Sequence, residues 1–174
     1  MLQTGHTADI DLAVLGEART LLFGAFENFT DDDWEHCLGG VHALIWDGSQ
    51  LVGHASVVQR RLLHGGRALR AGYVEGVGVR GSHRGRGHAA TMMSALEWVV
   101  RGAYDLGALS ASRMAADFYA RRGWQSWQGP TFSFTPEGVR RTAAEDDGVY
   151  VLPHLVPLDL TGELTCDWRD GDVW

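Results

Sequence analysis

No stretch of this 174-residue chain approaches the ~20 apolar residues that a membrane-spanning helix needs. Its opening residues, MLQTGHTADIDL, lack the pattern of a signal peptide, so a cytoplasmic protein without membrane partners is expected. Cysteine is scarce. Cys37 and Cys166 stand far apart with no CxxC spacing, and read as reduced structural thiols. The eight histidines form no HExxH-like arrangement, so no metal is expected. Basic charge is in deficit too. A net charge of −7 works against a nucleic-acid partner, whose phosphates demand a basic footprint. That surplus of acid suits a cationic small partner, although many soluble enzymes are mildly acidic for no such reason. Repeats, linkers and low-complexity segments are absent. What remains is 45% hydrophobic and 21% charged, long enough to bury a core as a single domain over 1–174.

Helical spacing first appears in DLAVLGEARTLLFGAF (11–26), with Leu12, Leu15, Leu22 and Phe26 as the apolar stripe. Thr30 followed by Asp31, Asp32 and Asp33 predicts a capped helix running to about Leu38 and stopping at Gly39-Gly40. VHALIWDGSQLVGHASVVQRRLLHGGRALRAGYVEGVGV holds three strand-like runs divided at Asp47-Gly48 and Gly65-Gly66, an antiparallel meander. HAATMMSALEWVVRGAYDLG predicts a helix with Met92, Leu96, Val99 and Val100 on one face, stopping near Gly102. A short strand within 104–110 follows it, so strand, helix and strand make a parallel crossover. A second helix over RMAADFYARRG ends at Gly123, WQSW returns to extended structure, and VYVLP (149–153) and ELTCDW (163–168) are further β-like pieces. The predicted class is α/β (α+β), a bent mixed sheet, mostly antiparallel, flanked by helices.

The stretch VEGVGVRGSHRGRGHAATMM (74–93) carries the chemistry. Gly85 and Gly87 let the backbone turn sharply and present amide N–H groups, and a helix starting near Gly87 adds its positive end. Together they suit a phosphate, with Arg84 and Arg86 as charge-assisted donors. An ordinary strand-to-helix loop with solvated arginines would look the same in isolation. The segment has neither the GK[ST] of a Walker loop nor the spacing of a dinucleotide fingerprint. In the preceding strand, Tyr73, Glu75, Val77 and Val79 alternate with Val74, Gly76 and Gly78. A carboxylate in that apolar row must be paired, solvated by a cleft or protonated. Glu75 therefore either salt-bridges an arginine or serves as a base. The glycines suggest a bulge or a close backbone approach by something else.

Two motifs then coincide. VGVRGSHRGRGHA (77–89) resembles the acyl-CoA motif of the GNAT N-acetyltransferase superfamily, and FYARRGW (118–124) resembles its second motif. Beyond them, FTDDDWEHCLGGVHALIW, VVQRRL, GYVEGVGVR, RGAYDLGALS and CDWRDGDVW are similar to the aminoglycoside 2'-N-acetyltransferases, from about Leu22 to Trp174. The resemblance implies a GNAT fold, acetyl-CoA as cosubstrate, an aminoglycoside as acceptor and a homodimer. It places the backbone of Val77, Gly78 and Val79 along the pantetheine arm. The amides of Arg84, Gly85, Arg86, Gly87, His88 and Ala89 fall on the pyrophosphate. Glu75 becomes a base acting through ordered water, and Tyr119 an acid beside the CoA sulfur. The terminal carboxylate of Trp174 falls in the family's catalytic and substrate site with Ser110, Asp146 and Asp172, and Gly76 adjoins Glu75 there. One position departs. Where relatives carry an acid in GDFT, this chain has Asn28 in ENFT, which accepts a hydrogen bond but brings no charge for an ammonium. Asp33 and its neighbours, or Glu27, are the candidates to compensate.

Elementary electrostatics fits a polycation. Acids cluster at 31–33, at 145–147 and in DWRDGDVW, and a unit charge pair at about 4 Å gains about 1 kcal/mol in water and about 4 near a protein surface. Each run read alone is a solvated loop or a helix start. An acidic pocket also stabilises the charged amine, so attack on a thioester needs a nearby base. Two further readings stand beside this one. A GNAT enzyme could acetylate another amine (an atypical aminoglycoside such as kasugamycin, a polyamine or a peptide), or the fold could serve as a non-catalytic acyl-CoA sensor.

Overall fold

In the computed structural model, which describes Met1 to Trp174, the chain divides into two compact units. The first comprises Met1–Val58 and Val74–Val99, the second Gln59–Tyr73 and Val100–Trp174.

In the first unit β1 (Leu2–His6) pairs antiparallel with β2 (Val41–Asp47), which pairs antiparallel with β3 (Gln50–His64). The β2–β3 turn falls at Gly48, in the left-handed region that the Asp-Gly signal requires. β1 escapes a sequence reading because LQTGH has no apolar alternation; backbone pairing holds it on the edge. Helix α1 (Leu12–Ala25) starts at Asp11, whose carboxylate accepts the Ala13 N–H at 2.7 Å. Its buried face is Leu15, Ala18, Leu21 and Leu22. Two members of the predicted stripe are instead exposed. Leu12 points about 100° round the helix from that arc, and Phe26 lies beyond the last turn as the C-cap.

Helix α2 (Asp31–His36) has the predicted start in full: the Thr30 hydroxyl accepts the Asp33 N–H while the Asp33 carboxylate accepts the Thr30 N–H. It ends at His36, earlier than Leu38, because Cys37 and Leu38 close tight turns onto Trp34 and Glu35. β4 (Arg67–Val79) sends Val74–Val79 into this unit, and α3 (His88–Ala103) follows. Met92 and Leu96 of the predicted α3 face are buried, as is Met93; Val99 is only partly so. A Cβ on Gly53 of β3 would meet Met92 at 3.2 Å, while the next residue, His54, lies against Trp34 of α2. Alternation along β3 thus puts α3 on one face of the sheet and α2 on the other.

The second unit is a sheet in the order β6-β9-β5-β4-β3-β10-β7-β8. Its new members are β5 (Leu106–Ser110), β6 (Gln125–Ser126), β7 (Thr131–Thr135), β8 (Gly138–Arg141), β9 (Val149–Pro153) and β10 (Leu164–Cys166). β5 runs parallel to β4 from Ala71↔Leu106, so the expected crossover forms, and β7 runs parallel to β10. The other pairs are antiparallel. The β7–β8 hairpin, TFSFT turning through Pro136 and Glu137, was not anticipated. The second predicted helix is shorter than its pattern: a 3-10 turn at Arg113–Ala115 precedes α4 (Ala116–Ala120).

Candidate active site

β4 runs continuously from Arg67 to Val79 through its glycines. Within it Gly76 adopts φ +55, a left-handed conformation outside regular β geometry. An added Cβ there would sit 2.7 Å from the Cys37 sulfur, and one on Gly78 2.7 Å from Leu22 of α1. The close approach is therefore the protein's own helical layer. Around Gly76, Glu75, Val77 and Val79 are, like Gly76 itself, partly exposed, whereas Val74 and Gly78 are buried. Glu75 keeps an interaction with the protein and is neither fully buried nor fully solvated.

After β4 the chain makes a 3-10 turn at Gly81–His83, then turns through Gly85 (φ +76) and Gly87 (φ +82) into α3. The Gly87 carbonyl accepts the Thr91 N–H at 3.0 Å, so the amides of His88, Ala89 and Ala90 open the helix with no intrahelical acceptor. A Cβ at either glycine would meet nothing within 4 Å, so that side of the loop is open. The arginines are partly committed. Arg84 donates to the carbonyls of Val79 and Ala25 (each 3.2 Å), and Arg86 to Ser82 (3.1 Å). They brace the loop and keep only their remaining N–H groups for a ligand.

Asn28 and Asp33 line one open cleft of 430 Å³ with Ala25, Phe26, Glu27 and Phe29. Asp33 spends one carboxylate oxygen on the α2 cap, where both the Thr30 N–H and hydroxyl reach it.

In the second unit Tyr119 is buried on α4 among Phe118, Trp124 and Tyr150, and burial pushes its phenol up to about 12. Ser110 ends β5 opposite Val149. Asp146 is not an open carboxylate: Arg141 binds both its oxygens, Thr131 donates to one, and the arginine holds its carboxyl below the usual range. Glu145, which sequence reading passed over individually, has its carboxyl raised by burial and then by the charge of Asp172. The Trp174 indole is buried and donates to the Thr142 hydroxyl at 2.9 Å, which packs the tail against the segment after β8. Asp172 accepts the Trp174 N–H at 3.1 Å, and Arg169 donates to a Trp174 oxygen at 2.9 Å. Buried Arg60 ties this tail down through Asp167 (2.8 Å) and the Val173 carbonyl (2.8 Å), its guanidinium 4.7 Å from the Tyr73 ring.

Sequence reading also missed His42 and His54. Thr7, His42, His54 and the Gly76 carbonyl form a line of hydrogen bonds of 2.8, 2.9 and 2.9 Å. The signal was available: two histidines on inward positions of otherwise apolar strands.

A helix-flanked mixed sheet with a left-handed glycine inside the strand that turns through a glycine loop into a helix start defines an acetyltransferase of the GNAT type. Residues 22–126 match the family described as Acetyltransferase (GNAT) domain, and the chain belongs to that family. Over 97% of its length it is 55% identical to a Mycolicibacterium fortuitum protein named aminoglycoside 2'-N-acetyltransferase, covering 89% of that protein. A GNAT family acetyltransferase from Brucella melitensis, solved with acetyl-CoA, shares the fold at TM-score 0.62 and 14% identity, with 94% of each chain covered. Eis1 from Mycobacterium abscessus gives TM-score 0.62 at 19% identity over 76% of this chain, which spans only 33% of Eis1.

Proposed function

We propose that this chain moves the acetyl group of acetyl-CoA to the 2'-amine of an aminoglycoside, inactivating the antibiotic, by direct attack within a ternary complex. The observation that carries the reading is the 55% identity over 97% of the chain to a relative of that name. The family resemblance supports a homodimer as the working form, and the composition, the net charge of −7 and the lack of metal-ligand spacing support a cytoplasmic single domain over 1–174 that uses no metal and neither nucleic acid nor membrane.

The loop fits the cosubstrate: open space at Gly85 and Gly87 and unpaired amides at the start of α3 suit a pyrophosphate. Val77, Gly78 and Val79 offer backbone groups to the pantetheine arm. Glu75, through water, takes a proton from the substrate ammonium; the freed nitrogen attacks the thioester carbon, the C–N bond forms and the C–S bond breaks. The Val77 N–H stabilises charge gathering on the carbonyl oxygen. Tyr119 is best suited to donate a hydrogen bond to the departing sulfur without giving up its proton. A phenol at about 12 is a weaker acid than a thiol of about 8.5, so full transfer to the thiolate runs uphill. Glu145 and Asp172 supply negative charge for a second ammonium, a role that Asp146, neutralised by Arg141, no longer fills alone. Asn28 favours a second reading, a different amine such as kasugamycin, because the cleft holds an amide where the pattern GDFT has an acid.

Free-thiol release from acetyl-CoA across gentamicin, tobramycin, kanamycin A, kasugamycin, spermidine and a short peptide tests both. Turnover of tobramycin with none of kanamycin A, which has a hydroxyl at the 2' position, is the expected result. Activity on kasugamycin or the polyamine alone would move the assignment to the second reading, and silence throughout would point to a sensor.

A further inference from the structure

We infer that His54, oriented by His42, is a positioning residue for acyl transfer: it pins the Gly76 carbonyl inward and so aims the N–H of the same peptide, that of Val77, away from the core. The inference rests on the reading above, in which that N–H meets the thioester oxygen.

The direction of the relay follows from donor and acceptor counting. A carbonyl only accepts, so the proton in the 2.9 Å contact between His54 Nδ1 and Gly76 O belongs to the imidazole. His54 Nε2 is then an acceptor, and the 2.9 Å bond to His42 Nδ1 is donated by His42. His42 Nε2 in turn accepts from the Thr7 hydroxyl at 2.8 Å, and the Thr7 oxygen accepts the Gly39 N–H at 2.8 Å. Thr7 Oγ1 also lies 3.2 Å from the Gly40 carbonyl, but that oxygen already takes the Thr7 N–H at 2.9 Å and a hydroxyl has one proton to give. Every bond points the same way, and both imidazoles are neutral. Burial agrees, pushing His42 down to about 4 and His54 to about 3.

A buried line of this kind could simply satisfy core polar groups. Where it ends argues for more. The peptide unit is planar and trans, so its C=O and N–H point to opposite sides, and fixing one aims the other. Gly76 is also the left-handed residue within β4, a conformation that regular strand geometry does not impose. Cys37 and Leu22 leave no room for a side chain at Gly76, so the relay orients a peptide in a closed seat. A donated hydrogen bond at the carbonyl further polarises the peptide and strengthens its N–H as a donor.

The test compares His54→Leu, which removes the donor, with His54→Asn, whose amide can occupy the place of Nδ1. The first should lower kcat about tenfold to a hundredfold with both KM values little changed, and the second should recover most of it. Nitrogen-15 NMR of the wild-type protein should find His54 as the Nδ1–H tautomer, with the Val77 amide resonance displaced in His54→Leu and restored in His54→Asn. An Nε2–H tautomer, an unmoved Val77 amide, or kcat within twofold of wild type in His54→Leu would overturn the inference. So would equal loss of kcat and stability in both variants, the mark of a merely structural histidine. Absence of aminoglycoside acetylation in the wild type would sink the functional reading instead, and the NMR would still decide the relay.

Discussion

In the proposed reaction Glu75 and Tyr119 carry different burdens, and their surroundings set how different. Glu75 sits partly exposed beside the left-handed Gly76, where a carboxylate keeps contact with water. Glu75→Gln should therefore lower kcat by about a hundredfold to ten-thousandfold and remove the basic dependence from the pH profile of kcat, read by thiol release. Tyr119 is buried with its proton held to about 12, and a thiolate leaves without much help. Tyr119→Phe should cost about tenfold or less, with thermal stability nearly unchanged. A larger loss than that of Glu75→Gln would reverse the assignment. Glu75 and Tyr119 were legible from motif and resemblance. The neutralisation of Asp146 was not, because the 3-10 turn at Ala143–Glu145 brings it back to Arg141, and no helix or strand periodicity pairs residues five apart.

The loop and the tail are the elements on which the proposed function depends. Gly85 and Gly87 hold left-handed conformations with open space beyond them, so Gly87→Ala meets no clash and pays only conformational strain of about 1–2 kcal/mol. The loop should relax away from its anion-binding shape, raising the KM for acetyl-CoA several-fold while the aminoglycoside KM stays put. The tail depends on Arg60. Replacing it by alanine would leave the Val173 carbonyl without its donor and remove the ion pair to the half-exposed Asp167, a loss of about 1–3 kcal/mol. Urea unfolding should register that loss, and Arg60→Met, which keeps the volume and can pack on Tyr73, should lose less. Helix ends were readable here wherever a cap was local, as at Thr30 and Asp33. They were misjudged where a tight turn, as after α2 and before α4, ended or delayed a pattern that periodicity alone would continue.

At the scale of the whole molecule, two neutral buried histidines make stability depend on pH in a fixed direction. Both have folded values, about 4 and about 3, below the ordinary 6.5. Between those limits the unfolded chain binds more protons than the folded one, so stability rises with pH there, is fully present above about 6.5 and drains away as pH falls. From pH 7 to pH 5 each histidine should cost about 2 kcal/mol. Urea titrations at the two values should show the loss, and His54→Asn should show about half of it from this source. A flat response between pH 7 and 5 would mean that the pair is charged or solvated in the folded state.

The sequence by itself determined the meander, the parallel crossover, the glycine loop opening a helix and the pair of motifs that mark the family, because each is written in contiguous residues through turn chemistry, periodicity and capping. Only the tertiary structure decided what lies across the chain from those residues. His54 reaches Gly76 across neighbouring strands, Arg141 cancels the charge of Asp146, and Arg60 fastens a tail more than a hundred residues away. Hydrogen bonds and ion pairs depend on distances in space, and spacing along the sequence does not encode those distances until the sheet has set its register.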